Sequence, residues 1–499
     1  MTRSYITRVA AAAAALLFAS LGGYFWLFPA SAAARLGLAV AAPGGLTALR
    51  ADVGGLFLGL ALLCGAAFRT RQRPWFLAAA ALLGAVATGR LVGMLLDGPS
   101  AGDGLALGAE AGLALLLVTG SRAMSTRIEG PTRRSRRWLV AAGSLVATLG
   151  AAFAAIMLSP QLLQAIFDRA AQKMAATVNS APLNDDALRV AVCGSSAPLP
   201  SASRAKACVA VFAGGKFYVV DTGPESTENL VLWGIPLSKI GAVLLTHFHS
   251  DHIGDLGELN LQTWAGGRAT PLTVYGGPGI ERVVAGFNDA YRMDQGYRTT
   301  HHGEDIMPSA TWPMIARTVE LDGPATPAKS RSAIVLDEGG LRITAIEVNH
   351  APIEPAYAYR FDYKGRSVVI TGDLKYHPPL AAAARDADVL VSEAIATNMT
   401  RSLGSAATSA GRKGTAAIMH DIEDYHITPE EAARIANDAN VKLLVYYHLL
   451  PAPDGALPRR LFARGVNSVR PKGWTIADDG SMYTLPIGST DIRLGRIDE

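Results

Sequence analysis

Three histidines and a carboxylate fall within residues 247–252 of the stretch Thr246-His247-Phe248-His249-Ser250-Asp251-His252. Imidazole and carboxylate together suit zinc and similar borderline divalent metals. The whole chain has only 10 histidines, so this concentration marks a metal site rather than a polar loop. The chemistry such a group offers is the binding of a divalent metal ion, which can act as a Lewis acid or activate water. An apolar run, Ala242 to Leu245, precedes the stretch and reads as a buried strand. A strand that ends in a tight loop aims side chains at i, i+2, i+4 and i+5 into one small volume.

Other candidates share that placement at the ends of apolar, β-branched or aromatic runs. They are Asp221 in Val219-Val220-Asp221-Thr222-Gly223, His350 in Asn349-His350, Asp373 in Thr371-Gly372-Asp373, and His448 after Lys442 to Tyr447. His426 stands just ahead of Thr428-Pro429-Glu430-Glu431, where Thr at the cap and Pro at the first helical position are good helix-start chemistry.

The H-x-H-x-D-H spacing, with these elements in this order across residues 187–488, resembles the metallo-β-lactamase-fold hydrolases. That resemblance implies an α/β fold, an αββα sandwich, with the site at strand ends. It implies two zinc ions per chain, one held by His247, His249 and His350 and the other by Asp251, His252 and His448. Asp373 would bridge them, Asp221 would brace the metal loop, and a shared hydroxide would be the nucleophile. A bridging aspartate points to the phosphodiesterase, arylsulfatase and glyoxalase-like branches and away from antibiotic hydrolysis.

Within the superfamily the chain resembles the ribonuclease Z and bacterial arylsulfatase branch. Val192-Cys193-Gly194-Ser195-Ser196-Ala197-Pro198-Leu199-Pro200 with Arg204 is similar to its opening loop, although Ser and Cys replace the usual residues beside the glycine. Ser392-Glu393-Ala394 and Tyr425-His426-Ile427-Thr428 resemble its H-E-A and H-[ST] elements. The resemblance makes His426 the general acid and Glu393 its orienter, which with Asp251 completes the expected catalytic set. His301-His302 reads as a loop or lid contact, because adjacent side chains diverge. His377 and His420 have no partner that the sequence names.

Before residue 160 the chain changes character. Mean hydropathy is +0.23 with 50% hydrophobic residues, and the excess is N-terminal. Apolar runs near residues 9–28, 51–68, 75–96, 104–120 and 138–158 are each long enough to cross roughly 30 Å of hydrocarbon, and they lack a polar stripe. The first also fits a cleaved leader ending at Ala30-Ser31-Ala32. Arginines crowd alternate loops: Arg3 and Arg8, then Arg69, Arg71 and Arg73, then Arg122 through Arg137. Those loops face the cytoplasm, so five crossings leave the metal domain on the extracytoplasmic side of the inner membrane. Phe28-Pro29, Ala51-Asp52-Val53-Gly54-Gly55 and Gly89-Arg90-Leu91 through Asp97-Gly98 resemble an uncharacterised four-helix membrane family.

The expected organisation is a four-helix transmembrane domain over 1–121, a basic cytoplasmic loop over 122–137 and a fifth span over 138–158. An amphipathic stem over 159–186 and a hydrolase domain over 187–499 follow. Arg90 should pair with Glu110, Asp52 or both, since an unpaired charge among apolar spans costs at least about 2.5 kcal/mol. Cys193 and Cys208 are either a disulfide in an oxidising compartment or two buried thiols. The aromatic stretch from Trp264 to Trp312 reads as a lid that selects the leaving group.

These features predict a membrane-anchored ester hydrolase, arylsulfatase-like or phosphodiesterase-like. The partners expected are a bilayer and a small-molecule ester. No nucleic acid is expected, because Gly279 to Ser330 contains no lysine cluster and phosphate-backbone binding needs several clustered cations. The alternatives are a ribonuclease Z-like endonuclease processing tRNA 3′ ends and a non-enzymatic metal sensor coupled to the membrane domain.

Overall fold

The computed structural model describes residues 3–29, 32, 49–96, 103–122, 124, 159–176, 178–324, 326 and 329–498. The chain divides into two compact units, Met1–Leu163 and Gln164–Glu499.

In the first unit four helices, Arg3–Leu27, Gly55–Thr70, Arg73–Leu96 and Asp103–Ser121, pack through small and aromatic side chains. Ala11, Ala14, Phe18, Leu60, Cys64, Ala67, Phe76 and Leu83 form their shared core. Large apolar side chains also point outward, with Leu62 75%, Leu16 73% and Leu27 73% exposed. A surface of that kind suits hydrocarbon rather than water. Tyr5–Leu27, Leu49–Thr70 and Arg73–Val92 are long and apolar enough to cross a membrane, and Ala106–Ser121 is a shorter apolar helix. The expected fifth span, most of the basic loop, Ala30-Ser31 and Asp97-Gly98 lie outside the described residues.

The Arg90 expectation holds through Glu110. The Arg90 guanidinium donates from Nε to Glu110 Oε2 at 3.1 Å and from Nη2 to Oε1 at 2.8 Å, a two-point contact between adjacent helices. Asp52 is exposed on the turn Leu49–Gly54. Ser159 Oγ accepts the Leu162 amide at the start of the helix Pro160–Ala176, which exposes Leu162, Leu163, Ile166 and Phe167.

The second unit is a two-sheet sandwich with helices outside both sheets. The first sheet contains β1 (Ala187–Gly194), β2 (Cys208–Ala213), β3 (Lys216–Val220), β4 (Ile240–Leu244), β5 (Leu272–Gly276) and β6 (Met314–Thr318). The second contains β7 (Ser332–Glu338), β8 (Leu341–Glu347), β9 (Tyr357–Tyr363), β10 (Arg366–Ile370), β11 (Val389–Ile395), β12 (Leu443–Leu450) and β13 (Trp474–Ile476). The chain returns through β14 (Ser481–Pro486) and β15 (Arg493–Arg496), giving the orders β15-β14-β1-β2-β3-β4-β5-β6 and β13-β12-β11-β10-β9-β8-β7. Val190, Val211, Val220 and Leu244 from one sheet meet Tyr359, Phe361, Ile370, Val391 and Val445 from the other. Each inner face alternates with an outer face covered by helix: Leu256, Leu259, Ile280 and Val284 on one side, Ala432, Ile435 and Ala436 on the other. This is the expected αββα arrangement.

Both sheets are parallel in the half that matters for the site. The pairs β3-β4 and β4-β5 in one sheet, and β10-β11 and β11-β12 in the other, are parallel, so their C-terminal ends meet along one edge. Open α/β sheets place ligands at such ends. Cys193 and Cys208 form a disulfide, with Cα atoms 4.9 Å apart across the β1–β2 pair. The stretch expected as a lid is firmly rooted. Trp264 and Trp312 are buried with ring centroids 4.9 Å apart, and the helix Ile280–Ala290 contributes to the core. The next helix, Arg292–His302, has no buried residue.

Candidate metal centre

Asp221 organises the loop that follows β4. Its Oδ1 accepts the Thr246 amide and its Oδ2 accepts the Thr246 hydroxyl, each at 2.8 Å. Oδ2 also meets His252 Nδ1 at 2.8 Å, which leaves His252 Nε2 facing the site. Gly223 must be glycine, since a Cβ there would lie 2.3 Å from the Asp251 carbonyl oxygen. Gly372 has φ +59°, and its Cβ would meet Thr246, so the loop before Asp373 packs against the loop before His247.

The side chains singled out in the sequence converge. His247, His249, His350 and Asp373 bring one ligand atom each within 4.8 Å of one another. Asp251, His252 and His448 form another such group, and Asp373, Glu393, His426 and His448 a further one. Asp373 is central: its Oδ2 is 3.9 Å from His247 Nε2, 3.4 Å from His252 Nε2 and 4.0 Å from His350 Nε2. Its Oδ1 is 3.4 Å from His448 Nε2, which also meets Asp251 Oδ2 at 3.2 Å.

The donor set fits divalent cations. Asp373 Oδ1 and His350 Nε2 are buried without a hydrogen-bond partner among the described residues. Leaving such atoms unsatisfied is costly unless a cation meets them. The outer ring nitrogens are meanwhile occupied: His350 Nδ1 donates to the Tyr425 carbonyl at 2.8 Å, and His247 Nδ1 meets Thr246 Oγ1 at 3.1 Å. Such outer contacts fix ring orientation and tautomer in metal sites.

Electrostatics divide the histidines into two classes. Burial holds His247 well below the usual imidazole range and lowers His249 and His350, so these are neutral and able to ligate. Burial also opposes charge on His252 and His448, but carboxylates outweigh it. Asp373, Asp221 and Asp251 raise His252, while Asp373, Asp251 and Glu393 lift His448 to about 10. Desolvation disfavours charge on Asp373 as well, yet His448 and His252 hold it well below the ordinary carboxylate range. Metal uptake at His252 and His448 therefore displaces protons.

Beside this cluster, Glu393 and His426 are paired. Both carboxylate oxygens of Glu393 lie 2.9 Å from His426 Nδ1, and Glu393 Oε1 also accepts the Leu374 amide at 2.9 Å. His426 precedes a full capping box at Thr428, in which Thr428 Oγ1 accepts the Glu431 amide and the Glu431 side chain accepts from the Thr428 amide. The remaining histidines stand apart. His301 and His302 are exposed at a helix end, His420 is exposed, and His377 meets Ser330 Oγ at 2.7 Å. The Tyr425 carbonyl and the Thr246 hydroxyl, which orient two of the rings, escaped sequence reasoning because neither belongs to a distinctive side-chain pattern.

The model of the family described as the beta-lactamase superfamily domain matches residues 217–449, a span that holds every residue of the cluster. The ribonuclease Z of Mycolicibacterium paratuberculosis is 33% identical over 268 residues, 53% of this chain and 87% of the relative. The chain belongs to the metallo-β-lactamase superfamily, as a homologue of ribonuclease Z. The Mycobacterium avium enzyme of the same name is 32% identical with equal coverage. Among solved structures, human tRNase Z, short form, is 19% identical with TM-score 0.42, covering 60% of this chain and all 100% of that one. The metallo-β-lactamase fold protein of Bacillus subtilis is 23% identical with TM-score 0.41, at the same coverages.

This ribonuclease Z homologue is a metal-dependent hydrolase acting on ester bonds. The kinship overturns the expectation that nucleic acid is not a partner, because the relatives are ribonucleases by name. That expectation rested on the missing lysine cluster between Gly279 and Ser330. An arm governs how a long substrate is gripped, whereas the groups that attack a phosphodiester sit at the cluster around Asp373, which is intact.

Proposed function

We propose that this chain is a membrane-anchored, two-zinc hydrolase of phosphodiester bonds in nucleic acid, with its catalytic unit on the extracytoplasmic side. The observation that carries the reading is Asp373, which touches histidines of both groups and stands beside the Glu393–His426 pair. His247, His249 and His350 would hold one ion, and Asp251, His252 and His448 the other, with Asp373 available to both. Ions bound there would supply Lewis-acid polarisation of the ester and activation of water. Asp221 and Thr246 orient the loop that carries four of those side chains. His426 delivers a proton to the departing oxygen, and Glu393 fixes its ring for that transfer.

Of the two ester classes expected from the sequence, the ribonuclease Z relatives favour the phosphodiester over the aryl sulfate. The Cys193–Cys208 bridge and the arginine-rich alternate loops both favour an oxidising, extracytoplasmic setting.

Full-length protein in detergent should hydrolyse a chromogenic phosphodiester and a short single-stranded RNA, and a chelator should abolish both activities. Chromogenic aryl sulfate should turn over far more slowly. Preferential sulfate cleavage, or RNA cleavage that survives metal removal, would refute this assignment.

A further inference from the structure

His448 is held in an unusual backbone conformation. Its φ is 41°, in the left-handed region that non-glycine residues occupy only where the surrounding structure holds them. The strand pairing shows why. In the parallel β11–β12 ladder Ser392 faces Tyr446 and Ala394 faces Leu449, so Tyr447 and His448 together oppose Glu393. This is a β-bulge, a device that re-aims a side chain next to functional sites. A regular strand would turn the imidazole to the other face.

What holds the bulge comes from the loop that follows β1. The Leu449 amide, directly after the bulge, donates to the Ser195 carbonyl at 2.9 Å. Ser195 is itself fixed at three points. Its amide and hydroxyl donate to Asp479 Oδ1 at 2.9 and 2.6 Å, and its Oγ accepts from Arg204 Nη1 at 2.8 Å. Asp479 Oδ2 takes the Ala205 amide at 2.7 Å and Asn229 Nδ2 at 2.9 Å. The Arg204 side chain is 5% exposed and also meets Asp454, Asp478 and the Ala477 carbonyl.

We propose that Asp479 and Arg204 are positioning residues for the metal-binding His448, acting through the Ser195 carbonyl that anchors its bulge. Neither touches the cluster. Removing the Asp479 carboxylate strands four donors at once, which releases Ser195 and with it the Leu449 amide. His448 then loses the constraint that aims it between Asp251 and Asp373. The inference rests on the two-ion reading, and it predicts that damage falls on one ion only.

The test is cobalt(II) titration of metal-free, full-length protein, followed by calorimetry and by visible absorption of the bound ions. Wild-type protein should take up two ions. Asp479→Ala and Arg204→Ala should bind the first as wild type does and the second about 10- to 100-fold more weakly. Asn229→Ala, which removes one donor to Asp479, should give a smaller loss and carries the test should Asp479→Ala not fold. Arg366→Ala, which breaks the buried Arg366–Asp388 pair away from this loop, controls for general destabilisation and should keep both ions. Variants that keep both ions at wild-type affinity, or lose both together, would overturn the brace while leaving the two-ion reading intact. The same holds if Arg366→Ala reproduces the selective loss. Wild-type protein that binds fewer than two ions would overturn both.

Discussion

Asp373→Ala should reduce kcat/KM toward a phosphodiester by about 10³-fold or more, the loss expected when several kcal/mol of charge stabilisation disappears. The argument is geometric. Among the described residues, Asp373 is the one carboxylate within 4.0 Å of all of His247, His252, His350 and His448. Without it the two histidine groups share no anion, and two cations placed there would repel each other unscreened. Metal content should fall along with activity, because both sites lose a ligand. Retained activity in a folded Asp373→Ala variant would show that the carboxylate does not link the sites.

His426→Ala should behave differently. It should slow turnover by about 10²- to 10⁴-fold, the usual contribution of a positioned general acid, while both metals stay bound. The loss should depend on the leaving group. A ribose alkoxide needs a proton as it departs and should suffer the full effect, whereas a nitrophenolate leaves unaided and should be nearly indifferent. Glu393→Gln should reproduce part of this pattern, because the amide would still contact His426 Nδ1 but no longer stabilise its charged form. Equal slowing of both substrates, or loss of metal, would reassign His426 to a ligand or structural role.

Much of this site is legible in the sequence because its chemistry is local. His247, His249, Asp251 and His252 share one loop, and the strand before it is apolar, so residue type and spacing suffice to mark the metal centre. Asp221, His350, Asp373 and His448 are legible only as strand-end residues in a family order, and the sheets bring them together as that order implies. The Cys193–Cys208 bridge and the Arg90–Glu110 contact follow from general costs, those of unpaired charge in apolar surroundings and of pairing between neighbouring strands.

Other features are illegible because they depend on register between distant segments. The bulge at His448 arises from β12 pairing with β11, and its anchor at Ser195 comes from the end of β1 in the other sheet. His377 finds Ser330 through a contact 47 residues apart that neither residue type announces. Trp264 and Trp312 read as rims of a lid, yet they pack on each other in a small buried cluster with Leu261 and Met307. The expectation of no nucleic-acid partner fails for a related reason. Charge clustering along one segment speaks to grip, whereas the bond to be cleaved is chosen at the metal centre.

The central claim is a paired metal centre built from seven side chains, and elemental analysis of purified full-length protein tests it most directly. Two zinc or similar divalent ions per folded chain is the predicted result, falling below two when Asp373 is replaced and unchanged when His426 is replaced. One ion or none in a well-folded wild-type chain, after equilibration with excess zinc, would contradict it.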